Sequence, residues 1–404
     1  AIVTNSVTYK TDRANIYVFD LRTGDLSATL PVDTDVAENK GVAVGDLMAV
    51  DMDSDYQVDD IYFGTYGGTG ASQKGKFYRL RIRADSNDTT KVYQTTPSDW
   101  DIGVVVNVGR PIYASPEIAS DSSGNKWLYF GTGLYLSADH ATATTDNEYL
   151  YGVKETDDCW KGTLTGSCSA YSKFLDSTSI IFEKAKATEL GCFCAGNLMS
   201  TISCSVAGTC SSCGAGLTQV VTKVTDAELS GYSGTGTPTC NGTKDTAAIS
   251  CLESRISSDG CSNAVCDGWK RAIVGQKMFS KPFVAGGLVD FTSFKPTSDS
   301  CSLGGNTFLW SLHYTTGTAY VQPTIFTCNP TDATQCSTTG DLGALTISSS
   351  VNLGTGVPPL GESLVALPLA GDTYKVITQV SGGLPGTSMA PSLPAKSGYV
   401  LWIV

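Results

Sequence analysis

Two stretches of this sequence, residues 61–65 (IYFGT) and residues 128–132 (LYFGT), are nearly identical. Each combines aromatic and aliphatic residues and ends in Gly-Thr, which is typical of a buried strand that runs into a turn. An apolar stretch that contains proline also recurs, at residues 112–118 (IYASPEI) and 278–284 (MFSKPFV). Recurrence of such units predicts a repeat architecture built from β-strands.

A third unit is a short apolar strand that often ends in a Thr-Gly turn. It occurs at residues 16–24 (IYVFDLRTG) and 308–317 (FLWSLHYTTG), with related copies at 77–82 (FYRLRI) and 148–153 (EYLYGV). Four such strands in roughly 40–45 residues are the pattern of a propeller blade. The sequence therefore predicts an all-β fold, a β-propeller of about six to seven blades with a Cys-rich, partly helical insertion.

The end of the chain returns to strand patterns. Residues 363–367 and 374–378 are predicted to pair with each other, and residues 400–404 (VLWIV) form a last apolar strand. We expect this last strand to lie against the first strand near Ile16, because pairing there would remove the exposed edges of the ring.

Composition narrows the classes of function. The 404 residues are 16% charged, include 43 glycines and carry a formal net charge of −12, a balance typical of strands and turns rather than helices. No basic stripe is present, so a nucleic-acid partner is not expected. No apolar run reaches the ~20 residues that span a bilayer, so no membrane span is predicted.

The repeat pattern is interrupted in the middle of the chain. Eleven of the fourteen cysteines lie between Cys159 and Cys266, and two helices are predicted here, at residues 181–190 and 246–256, with Asp245 as the cap of the second. We interpret this region as an insertion that projects from one loop of the propeller. The predicted division is a first propeller part at 1–154, the insertion at 155–267 and a second propeller part at 268–404. The first part contains the acidic loop at residues 51–59, a predicted calcium site that is described below.

The cysteines have three interpretations. Their even number and density favour disulfides formed in an oxidising compartment. The pairs at 192–194 (CFC) and 210–213 (CSSC) leave zinc binding and redox chemistry as alternatives, but zinc sites usually need a second cysteine pair or nearby histidines. Cys328 and Cys336 are expected to staple one loop, and Cys301 is expected to tie the insertion to the ring.

The strongest chemical motif is residues 51–59 (DMDSDYQVD). Carboxylates stand at loop positions 1, 3, 5 and 9, and position 7 of such loops binds through its backbone carbonyl. Four carboxylates this close repel each other unless a cation lies among them. The predicted calcium ligands are Asp51, Asp53, Asp55, Gln57 and Asp59.

The loop differs from an EF-hand in two ways. Its flanks are strand patterns instead of helices, and position 6, usually glycine, is Tyr56. A side chain at this position is costly if φ is positive, so either the affinity is lowered or the loop turns differently. An ordinary acidic surface turn is the alternative interpretation.

Catalytic patterns are weak. The sequence contains no Gly-x-Ser-x-Gly, and a histidine-dependent triad would have to use His140 or His313. We expect His313 to pack inside a repeat strand and His140 to be exposed in a polar loop. No catalytic residue is predicted, and the chain is not expected to be an enzyme.

Several motifs in order resemble the C-terminal domain of the PilY family of type IV pilus tip proteins. They are the acidic loop with the strand at 61–64, Pro116 followed by residues 129–136, Asp139 and 151–153, Gly268-Trp269 followed by 281–284, and 296–301 followed by 304–309. The series extends from about residue 14 to the end and leaves the insertion uncovered.

This resemblance implies an exported protein that passes through the periplasm and is displayed outside the cell at the pilus tip. It implies roles in adhesion, pilus assembly and motility, minor pilins and a host or abiotic surface as partners, and Ca²⁺ in the acidic loop. The competing hypothesis is a quinone-dependent dehydrogenase-like propeller enzyme, because residues 19–24 (FDLRTG) are similar to the blade-locking repeat of that class. Those enzymes have adjacent cysteines over the quinone, and this sequence has no Cys-Cys pair.

Overall fold

Short β-strands make up most of the described chain. The computed structural model describes residues 2–4, 13–33, 41–51, 56–68, 73–82, 96–136, 140, 147–155, 170–185, 219–224, 240, 246–257, 261, 265–297, 304–320, 345–346, 349–359, 361–362, 364–368, 374–379, 381 and 385–390. The strands are β1 (Ile2–Thr4), β2 (Asn15–Phe19), β3 (Leu26–Pro31), β4 (Val42–Val50), β5 (Asp60–Gly67), β6 (Phe77–Arg81), β7 (Asp101–Val106), β8 (Glu117–Ser120), β9 (Lys126–Gly131), β10 (Glu148–Glu155), β11 (Leu175–Asp176), β12 (Ile180–Ala185), β13 (Gln219–Val224), β14 (Gly268–Ile273), β15 (Ser280–Lys281), β16 (Phe283–Ala285), β17 (Leu288–Pro296), β18 (Gly305–His313), β19 (Leu345–Thr346), β20 (Ser350–Thr355), β21 (Gly361–Glu362), β22 (Leu364–Pro368), β23 (Tyr374–Gln379) and β24 (Pro385–Ala390). An α-helix, α1, spans Thr246–Ser257, and a 3-10 helix spans Pro97–Asp99. The predicted all-β class is confirmed.

Three sheets each contain four antiparallel strands that follow one another in the order of a meander. The strand orders are β4-β5-β6-β7, β8-β9-β10-β14 and β16-β17-β18-β20, and β11 joins the second sheet in parallel beside β14. Four-stranded units of this kind agree with the repeat that the sequence predicts. Among the described strands no sheet closes on itself, and the arrangement of these units in a propeller ring stays a prediction.

The smaller sheets bear on two further predictions. β22 pairs with β23 in antiparallel register, which confirms the predicted pairing of residues 363–367 with 374–378. Ile16 in β2 pairs with Thr4 on one side and with Leu30 on the other. Both sides of Ile16 are therefore paired within this sheet. Residues 400–404 lie outside the described residues, so the expected closure of the ring by this last strand stays a prediction.

The two Gly-Thr repeats make the same hydrogen bonds. The Thr65 hydroxyl accepts a hydrogen bond from the Lys76 backbone N–H at 3.0 Å. The Thr132 hydroxyl accepts the equivalent bond from the Tyr149 N–H at 2.9 Å. In both sheets the threonine thus extends the pairing between neighbouring strands beyond the point where the ladder ends, which explains why this residue type recurs at the end of the motif.

The same motif also joins each sheet to the chain segment that leads onward. The Thr65 carbonyl accepts a hydrogen bond from the Ile112 N–H at 2.9 Å, and the Thr132 carbonyl accepts one from the Met278 N–H at 3.0 Å. A Cβ placed on the glycine before Thr132, Gly131, would lie 2.0 Å from the Met278 sulfur. Glycine is therefore required by the close approach of the two segments.

The Cys-rich region leaves and re-enters the fold at one place. β10 and β14 are antiparallel neighbours, with Val153 opposite Gly268. The chain between them is therefore a long connection between the third and fourth strands of one sheet. The predicted boundaries of the insertion, 155–267, and the division into separate domains stay predictions.

The described part of this region packs into the main core rather than projecting from it. Phe182 of β12 and Leu252 of α1 are buried in one apolar cluster with Trp269 and Phe291. The expectation that the insertion projects is thus wrong for its described residues, because its apolar faces lie against β14 and β17.

One of the two helices predicted in the insertion is confirmed. α1 coincides with the helix predicted at 246–256, while its predicted cap, Asp245, lies outside the described residues. The helix predicted at 181–190 is wrong over its described part, where β12 pairs with β13 and β19. Alternate residues of β12, Ile180 and Phe182, point into the core, which is the two-residue period of a strand.

Disulfides confirm one interpretation of the cysteines within the described residues. Cys240 bonds to Cys251 of α1, and Cys261 bonds to Cys266. The first of these bonds ties the buried face of the helix to the chain that precedes it. The cysteine pairs at 192–194 and 210–213, together with Cys301, Cys328 and Cys336, lie outside the described residues.

Candidate functional site

The acidic loop connects β4 to β5 within one four-stranded sheet. Val50 and Asp60 are paired across the base of the loop, and the Asp59 N–H donates a hydrogen bond to the Val50 carbonyl at 2.9 Å. The two ends of the loop are thus held together by the strand ladder. This agrees with the predicted loop between strands and differs from a helix–loop–helix EF-hand.

Tyr56 has a positive φ, the backbone conformation in which a residue with a side chain is strained. Its φ is +71°, and it is the one residue other than glycine with a positive φ in the described part of the chain. Its N–H donates a hydrogen bond to Oδ2 of Asp51 at 2.8 Å, and its side chain is 70% exposed. The chain therefore makes a sharp turn at position 6 with a tyrosine where glycine would be least strained.

The structure places three of the five predicted ligands. Asp51 is half-buried, Gln57 is exposed and Asp59 is 2% exposed at the base of the loop. Asp53 and Asp55 lie outside the described residues. Among the described residues no group of three or more His, Cys, Asp or Glu side chains is placed to hold a metal ion, so the complete ligand set stays a prediction.

The loop geometry is nevertheless compatible with calcium. The Tyr56 N–H donates a hydrogen bond to the Asp51 carboxylate across the turn, so the first predicted ligand is held against the loop that carries the others. Oxygen ligands from alternate residues of a tight turn are the donor set that Ca²⁺ prefers.

A buried charged network lies directly below the loop. Asp60 accepts a hydrogen bond from Nε of Arg81 at 3.1 Å, and Arg79 pairs with Glu155 at 2.5 Å. The Tyr62 hydroxyl donates to the second oxygen of Glu155 at 2.6 Å. The network therefore joins the strand that follows the loop to the last residue of β10, where the Cys-rich region begins.

Burial sets the protonation behaviour of this network. It raises the pKa of the Glu155 carboxyl, and the neighbouring Arg79 guanidinium opposes that rise. Burial also raises the pKa of the Tyr62 hydroxyl well above its usual value of 10.0, so the hydroxyl keeps its proton and acts as the donor. Sequence reasoning missed this network; the available signal was the presence of charged residues within apolar strands.

The two histidines differ in how well they were predicted. His313 is buried, stacks on Tyr320 with ring centroids 5.7 Å apart and contacts the Thr315 hydroxyl at 3.0 Å, which confirms the predicted packing role. Burial lowers the pKa of its imidazole to about 3. His140 was expected to be exposed, and this is wrong: it is buried, and its Nδ1 accepts a hydrogen bond from the Leu136 N–H at 3.3 Å.

A membrane-spanning helix is not found in the described residues, where no helix is long and apolar enough to cross a bilayer.

Comparisons with known proteins identify the fold. No model of a known protein family matches the sequence, and no curated protein matches it. Among solved structures, the crystal structure of the C-terminal domain of PilY1 from Pseudomonas aeruginosa matches with a TM-score of 0.57 and 13% sequence identity. The match covers 96% of this chain and 68% of the PilY1 chain. The fold is thus similar to that of the PilY1 C-terminal domain, as the ordered motifs predicted.

Proposed function

We propose that this chain is a calcium-binding β-propeller of a type IV pilus tip-associated protein that acts in surface attachment, pilus assembly and motility. The observation that carries the proposal is the fold likeness to the PilY1 C-terminal domain over 96% of the chain. The four-stranded antiparallel sheets are the blades in this proposal, and minor pilins and a host or abiotic surface are the partners. The protein acts outside the cell after export through the periplasm.

Calcium is proposed as the resident ion of the loop between β4 and β5. The ligands would be Asp51, Asp53, Asp55, Gln57 and Asp59. When bound, the ion would neutralise the clustered carboxylates and hold the loop in one conformation. The support is the acidic spacing together with the hydrogen bond that folds Tyr56 back onto Asp51.

A binding role is proposed in preference to catalysis. His313, one of the two histidines that a triad would have to use, is buried among aromatic rings and hydroxyls and is neutral at physiological pH. Its environment supports packing. The buried charges at Glu155 and Arg79 satisfy each other and support a structural role for this pair.

Calorimetric titration of the full chain with calcium tests the metal site. One binding event is expected, and the double variant Asp51→Ala/Asp59→Ala should lose it. The matched control is Asp25→Ala, which removes an exposed carboxylate from a different turn and should leave the binding heat unchanged. If the full chain gives no heat up to millimolar calcium, or if the double variant binds as well as the natural chain, the calcium proposal is refuted.

Fractionation of cells that produce the chain tests the pilus role. The protein is expected in the sheared pilus fraction, and deletion of its gene should reduce piliation and surface motility. Absence from that fraction together with unchanged piliation and motility would contradict the proposal. This result is independent of the calcium titration, so the two parts of the proposal can fail separately.

A further inference from the structure

A cluster of three side chains, two from the sheet β4-β5-β6-β7 and one from the segment that leads to the next sheet, is not used by the proposed function. Asp46, Tyr66 and Tyr113 come from β4, β5 and the segment that leads to β8. The two tyrosine rings meet edge to face with centroids 5.3 Å apart. Asp46 is exposed and both rings are half-buried, so the cluster faces solvent.

The position of Asp46 results from an irregularity in the strand. The register between β4 and β5 shifts between Val44 and Leu47, which places two residues opposite one. The Asp46 N–H in this β-bulge donates a hydrogen bond to the Tyr113 carbonyl at 2.9 Å. Bulges of this kind re-aim a side chain out of the regular alternation, and here the Asp46 charge lies near enough to both rings to raise the pKa of Tyr66 and Tyr113.

The residue before Asp46 permits this approach. A Cβ on Gly45 would lie 2.4 Å from the Tyr113 carbonyl oxygen, so only glycine allows the two segments to come this close. The backbone therefore holds the carboxylate and one ring in a defined relation before any ligand arrives. Such preorganisation lowers the cost of binding.

The polar atoms of the cluster are not engaged with the protein. Within the described part of the chain, the Asp46 carboxylate and the hydroxyls of Tyr66 and Tyr113 have no hydrogen bond and no ion pair. The residue as a whole is exposed, but its surroundings remove part of the water from the carboxylate, and this partial desolvation raises the pKa of Asp46. Burial, with a further contribution from the Asp46 charge, raises the pKa of both tyrosines. A cation placed among these groups would relieve the electrostatic cost.

The equivalent position in the next repeat shows that the arrangement is specific. Ile112 and Met278 make the same backbone bond to Thr65 and Thr132, so Phe279 corresponds to Tyr113. Phe279 is 1% exposed and lies among other aromatic rings, Tyr135 at 6.1 Å among them. The position is thus filled by closed apolar packing in one repeat and is open and polar in the other.

From this geometry we propose that Asp46, Tyr66 and Tyr113 form a binding site for an organic cation, an alkylammonium or guanidinium group. Aromatic faces attract such groups through the ring quadrupole, and the carboxylate supplies the opposite charge. The formal net charge of −12 on the whole chain also attracts cationic ligands. The site would bind a lysine or arginine side chain of a partner protein or a free amine.

The test is ligand-observed NMR with the full chain and four probes. N-acetyl-lysine methylamide and N-acetyl-arginine methylamide represent protein side chains, putrescine represents free amines, and N-acetyl-norleucine methylamide is the uncharged control. We expect the cations to bind and the norleucine probe not to bind. Asp46→Asn and Tyr113→Leu should weaken the binding by about tenfold or more, while Tyr113→Phe, which keeps the ring, and the distant Asp25→Asn should not.

Two further comparisons make the result decisive. The Asp51→Ala/Asp59→Ala variant should bind the cations as the natural chain does, since the calcium loop is a different site. Stronger binding of the amino-acid probes than of putrescine assigns the site to a protein side chain, and the reverse assigns it to a free amine; both support the proposal. Absence of binding at tens of millimolar probe, equal binding of norleucine, or unchanged binding by folded Asp46→Asn would overturn it.

Discussion

The Tyr62 hydroxyl donates a 2.6 Å hydrogen bond to the Glu155 carboxylate, and these residues are 93 positions apart in the sequence. The bond joins two neighbouring four-stranded sheets through a fully buried polar contact. Arg79 pairs with the other oxygen of the same carboxylate. A buried ion pair of this kind costs little when it is complete and much when one partner is removed.

Removal of the Glu155 charge should therefore destabilise the protein strongly. Glu155→Gln leaves the Arg79 guanidinium buried without its counter-charge, and we expect the free energy of unfolding to fall by about 3–5 kcal/mol. Denaturant unfolding measures this loss. The double variant Glu155→Gln/Arg79→Met should lose less than the two single variants summed, and strictly additive losses would show that the pair does not act as a unit.

The contact between Gly131 and Met278 gives a second prediction. Gly131→Ala introduces a methyl group where the Met278 sulfur already lies, so overpacking should lower the free energy of unfolding by about 1–3 kcal/mol. Thermal or denaturant unfolding would measure it. Gly131→Ala should cost less in a Met278→Ala background than in the natural chain, because the Met278 sulfur is then absent. A Gly131→Ala protein as stable as the natural one would show that the two segments separate freely.

The positive φ of Tyr56 predicts tighter calcium binding by a glycine variant. Tyr56→Gly removes the steric cost of the left-handed conformation, about 1–2 kcal/mol for a residue with a Cβ, and should raise the calcium affinity by about fivefold to thirtyfold if that whole cost opposes binding. Calorimetry provides the measurement. Tyr56→Ala is the matched control, because it removes the ring but keeps the Cβ and should give no comparable gain. Equal gains in both variants would assign the effect to the ring instead.

Burial of His313 makes stability depend on pH. The imidazole pKa is about 3 in the folded protein against an ordinary value of 6.5, so the unfolded chain binds the proton first as the pH falls. Its contribution to stability is complete above pH 6.5 and declines by about 1.4 kcal/mol per pH unit as the pH falls from 6.5 towards 3.

The comparison is with His313→Gln, which does not titrate in this range. Unfolding measured at several pH values should show the stability advantage of the natural chain over this variant shrinking below pH 6.5. A pH-independent difference between the two proteins would mean that the His313 imidazole takes up its proton at the same pH in the folded and the unfolded chain.

Much of the candidate loop was accessible from sequence because its chemistry is local. Acidic residues at alternate positions between two strand patterns placed Asp51 and Asp59 at the ends of one loop, and the structure puts them there. The expected strain at Tyr56 was also a local property, since it depends on the φ angle of that one residue. The Tyr66–Tyr113 pair was not predicted, because the two residues belong to different repeats and meet only after those repeats pack.

The sequence by itself determined the strand repeats, the helix at 246–256 and the resemblance of fold, because each follows from the spacing of apolar, glycine and turn residues within short segments. The tertiary structure alone decided that His140 is buried, that residues 180–185 form a strand and that Glu155 meets Tyr62. The physical reason is that burial and strand pairing depend on which distant residues supply the neighbouring surface. A local pattern sets the preference of a segment, and long-range contacts decide its final environment.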